Sequence, residues 1–198
     1  MNGCLFMQVP KEEIKKRIIE AAEEEFLVSG YRHSSMRSIA QQAGITVGNI
    51  YSYFSGKDDL LDNILQSTIE QLRKLVFIDI CDKSSLSMQS ITYITEVITK
   101  VFLDNRTQFL ILMKSVEGSK YENIKVELIE LVKQRLENDL FLSSSKPGSD
   151  MLLADSLALA LIEGIINIFN KYGGDEVRLA NLLNKFLLLI IGDIQKRL

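Results

Sequence analysis

The chain is poor in the side chains that metal centres and nucleophilic catalysis use most. Its two cysteines, Cys4 and Cys81, lie far apart with no metal-ligand spacing, so neither a disulfide framework nor a zinc site is indicated. A reducing compartment, the cytoplasm, is the simplest reading of unpaired thiols. A redox sensor is the sharper alternative, outweighed because a free cysteine usually packs as a small hydrophobe. His33 is the only histidine, which excludes multi-histidine metal sites and argues against a histidine-based triad. No cofactor and no enzymatic activity are expected. Strand-like alternation is missing, as is any repeat of fixed period, so the fold class is all-α.

Acid is missing locally as well. From Phe26 to Lys57 there is no Asp or Glu, although the 26 acids of this 198-residue chain would place about four in such a window. The same window holds Arg32, Arg37 and Lys57. With a net charge of -3 and a pI near 5.4, the surface as a whole does not suit a polyanion, but a local basic site on an acidic body does.

What stands in that window is patterned. Ser35 can cap a helix from Met36 to Ala43, whose apolar positions Met36, Ile39, Ala40 and Ala43 share one face. Gly44 ends it, and Thr46 can cap a second helix from Val47 to about Phe54. Ile50 and Phe54 turn inward together, four residues apart, which leaves Val47, Gly48, Asn49, Tyr51, Ser52 and Tyr53 facing outward. This is a helix-turn-helix pattern with a surface suited to DNA. Asn49 can bond an adenine edge bidentately, Val47 can touch a thymine methyl, and Gly48 permits close approach. The tyrosine and serine hydroxyls, with Ser34, Ser35 and Thr46 at the helix starts, can bond phosphate oxygens.

Gly30-Tyr31, the Ser-Ser-Met-Arg-Ser-Ile-Ala run at 34–40, Ala43-Gly44-Ile45, and Gly48-Asn49-Ile50-Tyr51-Ser52-Tyr53-Phe54 followed by Lys57-Asp58-Asp59-Leu60-Leu61 resemble the TetR family of bacterial transcriptional regulators. The resemblance covers about the first 65 residues. It implies that Arg37, Val47, Asn49, Tyr51, Tyr53 and Lys57 occupy positions that commonly touch DNA. Val47 and Ser52 depart from it, standing where family members often carry basic or histidine side chains. The implied operator is a near-palindrome in double-stranded DNA, and the implied protein is a repressor released by a small molecule. A TetR-like activator, or a helical interaction module without ligand, is the competing reading.

The expected organisation is a leader at 1–10, a three-helix DNA-binding domain at 11–57, and a larger ligand-binding and dimerisation domain at 58–198, with about nine helices in all. The stretch MNGCLFMQVP lacks a basic n-region and is too short in apolar residues for a signal peptide or anchor; Met7 is a candidate natural start. Helix one is expected from about Lys11 to Ser29, stopped by Gly30. Its stripe is Ile14, Ile18, Ala21, Ala22 and Phe26, with Glu12, Glu13, Glu20 and Glu23 to Glu25 on a solvated face and Glu12 paired to Lys16. Ser55 is expected to cap a linking helix, about 56 to 81, with Leu60, Leu61, Ile64, Leu65, Thr68 and Leu72 buried. A break at 82–87 precedes helices at about 88–103, 105–116 and 121–142, and SSSKPGS at 143–149 is a loop.

Two further segments, Met151 to Phe169 and Leu179 to Ile194, are apolar almost all round, though broken by Asp155, Glu163 and Asn167 in the first. Neither is read as a membrane span; instead they are expected to pair with a second copy in a homodimer. Phe102, Phe109 and Met113 share a stripe, with Glu117 and Tyr121 near its end and Asn167 on a later helix. Together they suggest a pocket for a largely apolar effector, with plain core packing as the alternative.

Overall fold

The computed structural model describes residues 11–78, 88–138 and 151–192. The expected leader, the break at 82–87, the loop at 143–149 and both cysteines lie outside these residues. Among the described residues the chain is helical throughout, with nine helices and no strand. They are α1 Lys11–His33, α2 Met36–Gln42, α3 Val47–Ile50, α4 Lys57–Val76, α5 Met88–Asp104, α6 Arg106–Lys114, α7 Ile124–Leu136, α8 Met151–Asn170 and α9 Glu176–Ile191.

Helix α1 carries the expected stripe, with Ile18, Ala22 and Phe26 fully buried. It breaks at Gly30, as expected, but a further turn to His33 follows the break. Around this stripe the first core gathers Ile39, Ala40, Ile50 and Phe54 from the helix-turn-helix. It also takes Leu60, Leu61, Ile64 and Leu65 from α4, and Ile111, Leu112 and Val116 from α6 and the turn beyond it. The helix-turn-helix therefore shares one interior with α6, and the expected boundary at residue 57 runs through a continuous core.

Three assignments on this part of the surface are corrected. Glu25 is not on the solvated face: it is buried between α1 and α2, because it follows Ala21 and Ala22 by one helical turn. Lys16 pairs with Glu20 at 3.7 Å, and not with Glu12. Ser55 does not cap α4 with its hydroxyl either. Its backbone N–H and Oγ both donate to Asp59 Oδ2, at 2.8 and 3.0 Å, while Gly56 holds the cap position.

The remaining helices form a second layer. Its core joins Ile91 of α5, Leu136 of α7, Ala154, Ala158 and Leu161 of α8, and Leu187 and Ile191 of α9. Asp175 caps α9, accepting from Arg178 N at 2.9 Å. Helix α8 is, contrary to expectation, long and apolar enough by length and composition to cross a membrane. Here it packs against α7 and α9, and its Glu163 pairs with Lys125 of α7 at 2.8 Å.

The α8–α9 contact depends on Gly164. A Cβ there would meet Cζ of Phe186 at 2.1 Å and both Cε atoms at 2.8 Å, so the ring points end-on at the helix backbone. Gly164→Ala should gain up to about 1 kcal/mol of helix propensity but lose about 1–3 kcal/mol to overpacking. Urea unfolding at fixed protein concentration should show net destabilisation, recovered in the Gly164→Ala, Phe186→Leu double variant. A Gly164→Ala protein as stable as the parent contradicts the packing.

Candidate nucleic-acid interface

The two short helices are built by local chemistry. Ser35 caps α2 through a reciprocal pair with Ser38: Ser38 N donates to Ser35 Oγ at 3.1 Å, and Ser35 N to Ser38 Oγ at 3.2 Å. Thr46 caps α3, accepting from Asn49 N at 3.2 Å. Gly44 makes the turn between them at φ +66°, a conformation that L side chains rarely adopt. Regular α-helix in α3 ends at Ile50, earlier than the expected Phe54. The chain continues in turns, with Ser52 N on Asn49 O and Tyr53 N on Ile50 O three residues back, and Phe54 N on Ile50 O four back.

Tertiary contacts then orient this pair. Arg17 of α1 donates from Nη2 to the carbonyl of Ala43, at the carboxyl end of α2, where a cation is favoured. Buried Glu25 accepts from Ser38 Oγ at 2.7 Å and Gln42 Nε2 at 3.0 Å, so one carboxylate holds both ends of α2. Glu23 accepts from Gln108 Nε2 of α6 at 2.6 Å, and burial is the main cause that raises its pKa. Lys11 stands 5.8 Å from the Tyr53 ring, placing another cation beside the recognition turn. Lys11, Arg17 and Glu25 escape a linear reading. Only Glu25 leaves a trace in the sequence, as an acid in phase with an apolar stripe.

The sequence-expected residues divide by what they touch. Val47, Gly48, Tyr51, Ser52, Thr46, Ser35 and Arg37 are exposed, while Asn49 and Tyr53 are half-buried on the same surface. Ser52 Oγ donates to Asn49 O at 2.7 Å and lies 3.3 Å from Asn49 Oδ1, which orients the amide. Ser34 is corrected: its side chain is buried and donates to Tyr31 O at 2.8 Å, closing the last turn of α1. Arg32 turns away toward Glu117, its Nη1 at 2.8 Å from Oε1. Lys57 donates to the carbonyls of Tyr31 and Ser34 at 2.6 and 3.0 Å.

The expected effector residues also separate. Phe102 stacks on Phe169 at 3.8 Å, and Phe109 meets both edge-on at 5.4 and 5.1 Å, with Leu179, Leu183 and Met113 around them. This cluster is filled by its own rings. Glu117 is exposed beside Arg32, Tyr121 joins the first core and donates to Asp62 Oδ1 at 2.8 Å, and Asn167 is exposed on α8. The six-residue pocket is therefore not assembled. Helix α6 ends at Lys114, two residues short of the expected 116, so Glu117 does not continue its stripe.

Residues 18–64 match the model for bacterial regulatory proteins of the tetR family. The chain is 25% identical over 178 residues to the fatty acid metabolism regulator protein of Bacillus subtilis (strain 168), covering 86% of this chain and 92% of that protein. It is 41% identical over 56 residues to the HTH-type transcriptional regulator SrpR of Pseudomonas putida, 28% of this chain and 26% of that one. Among solved structures it resembles native NalD, the secondary repressor of the MexAB-OprM multidrug efflux pump in Pseudomonas aeruginosa. There the identity is 25% and the TM-score 0.60, over 92% of this chain and 100% of that one. It also shares the fold of FadR from Bacillus subtilis in complex with stearoyl-CoA, at 23% identity and TM-score 0.56, over 89% and 97%.

Removing the Glu25 carboxylate leaves Ser38 and Gln42 without their partner. Glu25→Ala should cost about 2 kcal/mol, in the range of hydrogen bonds to charged groups, and Ser35→Ala about 1 kcal/mol for the lost cap. Thermal unfolding of both variants checks this; a Glu25→Ala protein as stable as the parent would remove the carboxylate from the frame.

Proposed function

Taking residues 18–64 as the DNA-binding domain of a tetR-family regulatory protein, we propose that the chain is a cytoplasmic homodimeric repressor, not an enzyme, released from its operator by a largely apolar small molecule. The observation that carries DNA binding is the surface of the capped α3 turn. Val47 and Tyr51 are 40% and 52% exposed while Ile50 and Phe54 beneath them are buried, so the outward groups are held without being used by the fold. Asn49 and Val47 suit base edges in a major groove, and Arg37 suits a phosphate.

Dimerisation is supported by apolar side chains left outside on α8 and α9. Met151 and Leu152 are both 68% exposed, and Leu159, Leu182 and Leu189 are 47%, 45% and 74% exposed. Large apolar patches of this kind mark an interface. Two copies joined there could set their recognition turns about 34–36 Å apart, one DNA turn, on a near-palindrome.

The effector reading rests on the aromatic cluster between α5, α6 and α8, and on the relatives. The Bacillus subtilis FadR structure holds stearoyl-CoA, which makes a long-chain acyl compound the first probe. Rearranging Phe102, Phe109 and Phe169 would be needed to admit it. A useful inducer should weaken operator binding tens to hundreds-fold, about 2–3 kcal/mol of coupling.

Three measurements test these readings. Asn49→Ala should cost about 1–3 kcal/mol on an operator selected from a random library and relax base choice at one position per half-site. Equal loss on operator and scrambled DNA would show that Asn49 reads no base. Light scattering should give a dimer at micromolar concentration; a stable monomer, free and with DNA, would sink the assembly. Stearoyl-CoA and unrelated apolar compounds should be screened for release of the operator, and an effector set confined to charged molecules without a large apolar part would contradict an apolar site.

A further inference from the structure

Lys57 opens α4, three residues beyond the buried end of the recognition turn at Phe54, and the family resemblance counts it among the DNA contacts. Its surroundings point inward. The Nζ donates to the carbonyl oxygens of Tyr31 and Ser34, at 2.6 and 3.0 Å, and lies 4.2 Å from the centre of the Tyr31 ring. Tyr31 lies in the last turn of α1 and Ser34 directly follows it, at an end where a helix leaves acceptors unpaired and a cation is favoured. An ammonium has three donors; two are engaged and the aromatic face lies close by. Reaching a phosphate would mean abandoning both carbonyls.

Tyr31 is held on every side. Its N–H donates to Ser115 O, in the turn after α6, at 2.7 Å. Its hydroxyl donates to Asp58, the neighbour of Lys57 on α4. Its ring is 5.9 Å from the fully buried Phe26. Burial first, and the bond to Asp58 second, push its phenol up to about 12. Residues 57 and 58 thus grip one side chain from two directions, and that side chain is anchored to α1 and to the α6–α7 turn.

We propose that Lys57 is a positioning residue for operator recognition and not a phosphate contact: its ammonium locks the start of α4, and the recognition turn that feeds into it, onto Tyr31. The recognition half of this role rests on the DNA-binding reading above. A phosphate contact and a positioning residue differ in kind. Each neutralised phosphate contributes about 0.9 to the slope of log K against log salt, so losing one contact per protomer flattens a dimer's slope by about 1.8. A positioning residue leaves the slope alone and costs affinity where geometry matters, on the operator.

Lys57→Gln, Tyr31→Phe and Arg37→Gln should be compared with the parent on a library-selected operator and on scrambled DNA across a salt series. Arg37→Gln, removing an exposed cation, should weaken both DNAs and flatten the slope. Lys57→Gln should lower operator affinity about tenfold, change scrambled-DNA affinity less than twofold and keep the parental slope. Tyr31→Phe, which keeps the ring and the carbonyl, should shift in the same direction by a smaller factor. A Lys57→Gln protein that weakens both DNAs alike with a flattened slope overturns the proposal. In the unmodified DNA-free protein, reductive methylation should label Lys57 more slowly than the exposed Lys11. Equal labelling overturns the clamp without reference to DNA or to the folding of any variant. A parent that selects no DNA sequence overturns the DNA-binding reading and the recognition role with it, while slow labelling would still uphold the clamp.

Discussion

The buried stripe of α1 is the constraint on which the outward surface of the helix-turn-helix depends. Helix α2 has seven residues and α3 four, far below the length at which a helix persists alone in water. Their caps supply local turns but no orientation. Orientation comes from Ile18, Ala22 and Phe26, against which Ile39, Ala40, Ile50 and Phe54 are packed in one core. Arg17 and Glu25 on the same helix then bind the two ends of α2 through Ala43, Ser38 and Gln42. The exposed surface of this pair is in this sense a property of a helix that stands behind it.

The same core extends to α6 and, through Ile124 and Leu128 of α7, gives the second layer a direct hold on the first. Ile111, Leu112 and Val116 are buried with residues of α1 and α4. Polar links lie around that contact: Ser115 with Tyr31, Glu117 with Arg32, Tyr121 and Lys120 with Asp62, Gln108 with Glu23. The exposed pairs among these contribute little individually. The buried apolar contact and the backbone bond to Ser115 carry more, because burial prevents water from replacing them. A shift of α6 would therefore be felt at the end of α1 and the start of α4 together.

Much of this was legible in the residues, and the division has a physical basis. The caps Ser35 and Thr46, the breaks at Gly30 and Gly44, and the inward pair Ile50 and Phe54 depend on neighbours within four positions. The all-helical class and the α4 stripe followed from periodicity in the same way. Side chains whose partners lie far off in sequence could not be placed in the same way. Arg32 and Lys57 were expected at DNA because they sit in an acid-free window, and no local pattern showed that Lys57 reaches back 26 and 23 positions and Arg32 forward 85. The aromatic pair Phe102 and Phe109 was found because both lie in regular helix. Glu117 and Tyr121 were placed near it from their position at the end of that stripe, where α6 already stops at Lys114 and a turn decides which way each side chain faces.

The backbone bond from Tyr31 N to Ser115 O bears on how such a protein could be recombined. A chimaera that transplants residues 11–57 onto a foreign effector domain would carry the donor and leave its acceptor behind, together with Asp58 and the buried Ile111, Leu112 and Val116. The graft would fold around a seam with an orphaned amide and an unmatched apolar surface. The unit that exchanges cleanly is discontinuous in sequence: the first helices, the start of α4, and the α6 segment with its following turn, moved as one piece. Modularity here follows the core and not the order of the chain.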